Sequence, residues 1–196
     1  MLYTGQAYQD LFALEIGGKN GTYIEIGACS PEITSNSYTL EVHNNWKGIS
    51  IELDKSRIRE WISRPERKNK VYWEDARYFD YSSALLENNL PLHVNYVSCD
   101  IEPPSNTFIS LQRIIDQGIT FDCLTFEHDF YISPNPNYNI IATEYLATKG
   151  YKPAVINVYD ITNQSSENHF ETWFVKNDIH YPTIDFKEWI TKTFNK

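Results

Sequence analysis

Acidic side chains close successive apolar segments of the sequence, and their spacing could bind a ligand that has several distinct parts. The first segment runs into Glu25–Ala28, where Gly27 lets the backbone turn sharply and approach a ligand closely. Glu25 offers an acceptor for an ammonium group, and Ala28 continues the turn. Glu52 closes the second segment, 25 residues after Gly27, and a carboxylate there can accept two hydrogen bonds from a ribose diol.

Two further positions complete this pattern. Asp75 follows the third apolar segment, where it could accept a hydrogen bond from an adenine amino group, and Ala76 leaves room for the ring. Thr34–Ser37 offers hydroxyl and amide groups at the predicted start of a helix, which suit a carboxylate. An amino acid, a ribose and an adenine together outline S-adenosylmethionine. We therefore predict this cofactor, with Ser35 and Asn36 among the residues that bind it.

Two other nucleotide sites are excluded by missing residues. A dinucleotide site of the NAD type needs a second and a third glycine in the first turn, and the chain has Cys29 and Glu32 at those positions. No P-loop sequence is present either. Neither site is therefore predicted.

The elements that must position these residues are short strands that alternate with amphipathic helices. Seven segments are rich in β-branched and aromatic residues, which favour strands. They are Thr22–Ile26, Gly48–Glu52, Lys70–Trp73, His93–Cys99, Phe121–Phe126, Ala154–Tyr159 and Glu171–Val175. One helix is predicted from its cap at Ser105 to its stop at Gly118. A second helix is predicted from about Tyr138 to Lys149, with Gly150 ending it.

This alternation predicts an α/β fold with a mostly parallel seven-stranded sheet and helices on both faces. The last two strands are joined without a helical pattern, which predicts an antiparallel C-terminal hairpin. Such a sheet is similar to the Rossmann-like fold of class I methyltransferases more than to a plain dinucleotide fold. No linker or repeat divides the sequence, so a single domain over residues 1–196 is predicted.

Candidate catalytic groups lie at the ends of the fourth and fifth strands. Transfer to a hydroxyl needs a base, and Asp100, Glu102 and His128 are the candidates, with Asp129 beside them. His128 titrates near neutrality when unperturbed, although a structural hydrogen-bonding role competes with this interpretation. Asp100 could instead face the methionine end of the cofactor. Asp100, Glu127, His128 and Asp129 form an oxygen-rich group that would suit magnesium or calcium, but their spacing is not diagnostic and no metal is predicted.

Composition sets further expectations. The net charge of −9 and a pI near 5.0 argue against a polyanion, so nucleic acid is predicted not to be a partner. The basic stretch Arg57–Lys70 is interrupted by Glu60 and Glu66, which favours a solvated helix face. No apolar run approaches the roughly 20 residues of a membrane span. Three unpaired cysteines suggest a cytoplasmic protein, and a homo-oligomer is left open.

Several of these motifs, taken in order, resemble the FkbM-type methyltransferases. They are Gly5–Asp10, Gly21–Ala28, Ser35–Tyr38 with Leu40–Glu41, Trp46–Glu52, Val97–Glu102 and Phe121–His128. The resemblance implies that Gln9 and Asp10 belong to a cofactor-binding motif. It also implies methyl transfer from S-adenosylmethionine to an oxygen, often a sugar hydroxyl. The sequence departs from the family at Pro103–Asn106 and at Cys29–Ser30.

The predicted function is therefore an S-adenosylmethionine-dependent O-methyltransferase acting on a small hydroxylated or glycosyl acceptor. A non-catalytic binding or scaffold domain that keeps the fold is the alternative. The Pro103–Pro104 segment permits this alternative, whereas Glu25, Glu52 and Asp75 argue against it.

Overall fold

A computed structural model describes residues 3–132, 134–161 and 168–194 of the chain. The strands are β1 (Thr22–Ile26), β2 (Lys47–Glu52), β3 (Lys70–Trp73), β4 (His93–Cys99), β5 (Thr120–Glu127), β6 (Tyr151–Tyr159), β7 (His169–Lys176) and β8 (Ile184–Asp185). The helices are α1 (Gln9–Gly17), α2 (Lys55–Ile62), α3 (Tyr81–Glu87), α4 (Pro104–Asp116), α5 (Tyr138–Thr148) and α6 (Phe186–Phe194), with a π-helical turn at Thr39–His43.

The strands form one sheet in the order β3-β2-β1-β4-β5-β7-β6-β8. Strands β1 to β5 are parallel, and β7 runs antiparallel to both β5 and β6. The predicted mostly parallel sheet and its antiparallel hairpin are thus confirmed. An eighth strand was not predicted, because Ile184–Asp185 is too short to show an alternating pattern. The connection between β6 and β7 lies partly outside the described residues.

Both faces of the sheet are covered, because alternate side chains along each strand point to opposite faces. Ile24 and Ile26 of β1 belong to one apolar cluster, which α3, α4 and α5 cover. Tyr23 belongs to a second cluster together with residues of α1 and α6. Trp173 and Trp189 pack edge to face in this second cluster, with ring centroids 5.0 Å apart. Both tryptophans are buried and therefore serve to pack the core.

A row of polar side chains crosses the α1 face of the sheet near the carboxyl ends of the parallel strands. Glu25 of β1 is in register with Ser50 of β2 and Ser98 of β4, and Ser98 is in register with Thr125 of β5. All four residues are buried. Buried polar groups need hydrogen-bond partners, so this row is held by contacts within the protein.

The helix ends show where local sequence sets the structure. Asp54, Asp80 and Asn137 each cap a helix by accepting a backbone N–H of the first turn. Helix α4 differs from the prediction, because it begins at Pro104 without a side-chain cap and Ser105 lies inside its first turn. Proline suits that position because the first helical N–H has no intrahelical partner. Among the described residues, no helix is both long and apolar enough to cross a membrane.

Candidate functional site

A cleft opens at the carboxyl ends of β1 to β4, where the strand order reverses. Ligands of open α/β sheets bind at this kind of switch point. Five residues predicted from sequence line the cleft, namely Gly27, Glu52, Asp75, Ala76 and Glu102. The fold therefore brings together residues that are up to 75 positions apart in sequence.

Gly27 lies where the ends of two strands approach each other closely. Its φ of +75° is unfavourable for residues with a side chain. A Cβ at this position would lie 1.6 Å from the carbonyl oxygen of Asp100. The glycine is therefore needed so that the end of β1 can pack against the end of β4, and this packing shapes the cleft.

Glu52 presents a carboxylate with spare acceptor capacity. One oxygen accepts the N–H of Cys29 at 2.7 Å, and the other accepts the N–H of Asp54 at 2.7 Å. No cation of the described residues pairs with Glu52. Because a carboxylate has about four lone-pair sites, each oxygen keeps room for a ligand donor.

Asp75 lies in the same cleft, and its carboxylate pairs with Arg77, which the sequence analysis does not predict as a site residue. The Nε of Arg77 donates to its Oδ1 at 2.9 Å, and the Arg77 side chain holds the pKa of Asp75 below its usual range. Arg77 also reaches the side-chain oxygen of Asn106 at 3.4 Å. The segment that departs from the FkbM pattern therefore contributes a wall of the cleft.

Four acidic residues near the cleft form a second group, which we call the carboxylate cluster (Asp100, Glu102, Asp129 and Glu171). Burial raises the pKa of Asp100 well above its ordinary value, and the negative charges of Glu171, Asp129 and Glu102 add to this effect. Burial likewise raises the pKa of Asp129. No Lys, Arg or His of the described part of the chain lies in ion-pair contact with any member.

Glu171 was missed as a site residue, although β7 was predicted. Because β7 is antiparallel to β5, its first residues lie at the carboxyl edge of the parallel strands, where Glu171 pairs with Glu127. Its oxygens accept Gln9 Nε2 at 3.1 Å and Trp173 Nε1 at 2.7 Å. Burial raises the pKa of Glu171 to about 7. The predicted hairpin could have revealed this acid, since it places that end of the strand beside the site.

Glu25 does not offer a free acceptor to a ligand. Its carboxylate accepts the hydroxyls of Ser37 at 2.6 Å and Ser50 at 2.9 Å, and its side chain is buried. Ser35 is also buried, and its hydroxyl contacts Glu25 and backbone N–H groups of the π-helical turn region. The structure therefore corrects the direct ammonium contact expected for Glu25 and the ligand contact expected for Ser35.

Arg67 explains this arrangement, and it is the one charged residue of Arg57–Lys70 that is buried and so departs from the predicted solvated face. Helix α2 ends at Ile62, and the Arg67 side chain that follows is only 1% exposed. Its Nε lies 2.8 Å from Glu41 Oε2, and one terminal nitrogen lies 3.9 Å from Glu25 Oε2. Its guanidinium also lies 3.9 Å from the ring centroid of Trp61. We call Glu25, Glu41 and Arg67 the buried ion network.

The two residues of the N-terminal motif and Asn36 take different positions. Asp10 is fully buried and accepts the backbone N–H groups of Thr4 and Leu11, so it stabilises the start of α1 rather than facing the cleft. Gln9 instead contacts the carboxylate cluster through Glu171. Asn36 donates to Ser98 at 3.0 Å, while its buried Oδ1 has no partner in the described structure. Of the three, Asn36 keeps an unused acceptor.

His128 is locked in place by two contacts. Its Nδ1 accepts the N–H of Phe130 at 3.2 Å, and its Nε2 lies 3.3 Å from the hydroxyl of Thr172. Burial and the neighbouring His169 lower its pKa to about 3. Because both ring nitrogens are engaged within the protein, this geometry favours the structural role over the base. Among the described residues, no group of three or more potential ligand side chains is arranged to hold a metal ion.

Comparison with solved structures identifies the fold. A candidate rRNA methylase from Clostridium thermocellum aligns over 90% of this chain and 98% of its own, with 9% identity and a TM-score of 0.60. An rRNA methylase from Streptococcus thermophilus aligns over 85% and 93%, with 10% identity and a TM-score of 0.54. A candidate S-adenosylmethionine-dependent methyltransferase from Methanococcus maripaludis covers 89% and 86%, with 12% identity and a TM-score of 0.50. The chain has the Rossmann-like methyltransferase fold.

These identities establish the methyltransferase fold and not a subfamily. No protein-family model matches the sequence, and no curated protein sequence does either. The FkbM-type assignment therefore remains a resemblance.

The prediction that excluded nucleic acid as a partner is wrong. It rested on the net charge of the whole chain, whereas this methyltransferase fold is shared with rRNA methylases. Net charge averages over the entire surface, while binding of a phosphate backbone depends on the local arrangement of Lys and Arg. A chain with a charge of −9 can still carry a positive surface.

Proposed function

We propose that this chain is an S-adenosylmethionine-dependent methyltransferase that methylates a hydroxyl group, such as that of a sugar. One observation carries the proposal: Gly27, Glu52, Asp75, Ala76 and Glu102 line a single cleft at the switch point of a methyltransferase fold. The sequence predicts each of these residues as a cofactor-binding or catalytic residue. The FkbM resemblance supports the choice of oxygen as the acceptor atom.

The residues of the cleft fit the nucleoside part of the cofactor. Glu52 has acceptor sites left for a ribose diol, since backbone N–H groups use only part of its capacity. Asp75 and Ala76 would lie beside the adenine, with Asp75 shared between Arg77 and the amino group. The unpartnered Asn36 Oδ1 fits the methionine end, because a buried acceptor without a donor is costly and a ligand ammonium would supply one.

Other predicted residues would act on the cofactor indirectly. Glu25 and Ser35 hold the loop after β1 in place, Asp10 holds the start of α1, and Gln9 positions Glu171. Ala28 is buried, and its N–H donates to the carbonyl of Ile51, which fixes the turn after Gly27. These contacts pre-organise the site without touching the ligand.

We assign the base to Asp100, which follows β4 and has a raised pKa. S-adenosylmethionine supplies an already activated methyl group, so the protein must mainly position the acceptor and remove its proton. Asp100 follows β4 next to Gly27, and burial with three neighbouring carboxylates raises its pKa. A higher pKa makes its carboxylate a stronger proton acceptor than an ordinary aspartate. Glu102, which lines the cleft, is the second candidate.

Isothermal titration calorimetry with S-adenosylmethionine tests the proposal. We expect binding that weakens about ten- to a hundredfold in Glu52→Gln, because hydrogen bonds to a charged acceptor contribute about 1.5–3 kcal/mol. Glu60→Gln, an exposed acid on α2, is the matched control and should bind normally. Thermal unfolding of both variants checks that the fold is intact.

Two outcomes would contradict the proposal. Failure of the unaltered chain to bind S-adenosylmethionine at high micromolar concentration would contradict the proposed enzymatic activity. Binding without transfer of labelled methyl to any carbohydrate or RNA acceptor would favour the non-catalytic alternative.

A further inference from the structure

The positive charges of this acidic chain are concentrated in one segment. Residues 47–70 contain eight Lys and Arg against four Asp and Glu, whereas the rest of the sequence contains nine against twenty-two. The segment therefore has a net charge of +4 and the remainder has −13. In the fold, this segment comprises β2, α2 and the connection to β3.

A groove of about 560 Å³ lies between α2, the loop that follows it and the first residues of β2 and β3. Lys47, Arg64, Lys68 and Lys70 line it, and no Asp or Glu does. The three lysines are exposed, and none of them has an ion-pair partner among the described residues. Unpaired cations around a concave surface concentrate anions there. The exposed Ile62 adds an apolar contact on the same wall.

The groove continues toward the cofactor cleft through a second hollow, which shares Arg64 with it. This hollow is lined by Arg57, by Glu60, which pairs with Arg57 at 3.2 Å, and by the hydroxyl residues Ser30, Thr34 and Ser63. Cys29 also lines it, and the N–H of Cys29 donates to Glu52 in the cleft. We call the two hollows together the cationic track. It connects the start of β2 with the site at the end of β2.

We propose that the cationic track binds the phosphate backbone of single-stranded RNA and leads one of its ribose hydroxyls into the cleft. The inference rests on the proposed function and names its acceptor. The six residues of β2 span about 17 Å at roughly 3.3 Å per residue, which is long enough for several successive phosphates and too long for one small anion. Single strands bind in such positively charged grooves, and RNA carries the 2′-hydroxyl that DNA lacks.

Fluorescence anisotropy with a labelled 12-nucleotide RNA of mixed sequence measures this interaction. We expect the combined variant Lys47→Ala, Lys68→Ala, Lys70→Ala to bind at least tenfold more weakly at 50 mM salt. The control is Lys19→Ala, Lys149→Ala, Lys187→Ala, which removes the same charge from exposed positions outside the track. The variant Lys47→Arg, Lys68→Arg, Lys70→Arg should retain binding. Affinity of the unaltered chain should fall with salt as for about three phosphate contacts.

Several results would overturn the inference. Equal losses in the two alanine variants would mean that overall charge and not the track governs binding. Stronger binding to anionic phosphatidylglycerol vesicles than to RNA would identify a membrane surface instead. Methyl transfer to DNA of the same sequence as readily as to RNA would exclude the ribose hydroxyl. Calorimetry with S-adenosylmethionine on the same alanine variant separates the two proposals, because cofactor binding there should be unchanged even if RNA binding is lost.

Discussion

Two groups of acidic residues differ in whether the protein neutralises their charge. In the buried ion network, Arg67 pairs with Glu41 and lies near Glu25, and serine hydroxyls complete the contacts of Glu25. In the carboxylate cluster, no cation of the described chain pairs with any member, and burial raises the pKa of Asp100 and Glu171. Satisfied buried charges hold a structure together, whereas groups with strongly perturbed pKa values are frequent at functional sites.

Removal of the one cation of the buried ion network should produce the largest effect. Arg67→Ala leaves two buried carboxylates without a positive partner, so we expect the free energy of unfolding to fall by about 3–5 kcal/mol. Urea unfolding at neutral pH measures this change. Arg64→Ala, three residues earlier in an exposed ion pair with Glu32, is the matched control and should cost less than about 1 kcal/mol.

Arg67→Lys sharpens the same comparison. The three guanidinium nitrogens of Arg67 contact Glu41, the carbonyl of Pro31 and the hydroxyl of Ser37, and one ammonium group cannot reach all of them. We therefore expect a loss between those of the other two variants. A loss no larger than that of Arg64→Ala would show that the network contributes little to stability.

The carboxylate cluster should instead make stability depend on pH. The pKa of Glu171 is about 7 in the folded chain against an ordinary 4.5. Its contribution to the free energy of unfolding is therefore fully present below pH 4.5 and is lost as the pH rises to about 7. Glu171→Gln lacks this loss. Between pH 4.5 and 7.5 the variant should gain about 3 kcal/mol relative to the unaltered chain.

Urea unfolding at both pH values tests this expectation. Glu188→Gln, which removes an exposed acid of α6 paired with Lys192, is the control and should follow the unaltered chain. If the free energy of unfolding changed equally with pH in the unaltered chain and in Glu171→Gln, the pKa of Glu171 would not be raised by folding. The contrast between the buried ion network and the carboxylate cluster would then be wrong.

Asp100 should affect turnover more than stability. If its carboxylate removes the acceptor proton, Asp100→Asn should lower methyl transfer by a hundredfold or more, since general-base catalysis contributes about 10²–10⁴-fold. Transfer of labelled methyl to a carbohydrate or RNA acceptor provides the measurement, with Asp116→Asn at the exposed end of α4 as control. Retained turnover in Asp100→Asn together with a loss of turnover in Glu102→Gln would identify Glu102 as the base instead.

The difference between the two groups also explains what sequence could predict. Glu52 ends a strand, and Asp75 and Asp100 lie within two residues of the end of one, and in a parallel sheet this places all three at one edge. The role of Arg67 could not be predicted in the same way. It lies among seven other Lys and Arg residues in 24 positions, and its burial depends on Glu41, Glu25 and Trp61 from other parts of the chain.

His128 is a candidate site residue of the sequence that the structure shows in a structural role. Its type and position at the end of β5 allowed a catalytic interpretation beside a structural one, and the contacts that decide between them come from β7, where Thr172 lies 44 residues away. The same antiparallel strand brings Glu171 into the cluster. The residues that sequence reasoning assigned least well are therefore those whose surroundings come from non-local pairing.

The smallest effect should follow from Arg77→Ala. The ion pair between Arg77 and Asp75 is partly exposed, so its loss should cost less than about 1 kcal/mol of stability. The amino group of an adenine needs only one acceptor site of Asp75, and a carboxylate offers about four, so both partners fit at once. Affinity for S-adenosylmethionine should therefore change less than about threefold, with Arg113→Ala as control. Binding that tightens tenfold would instead mean that Arg77 competes with the cofactor for Asp75, so that the cleft wall formed with Asn106 opposes binding.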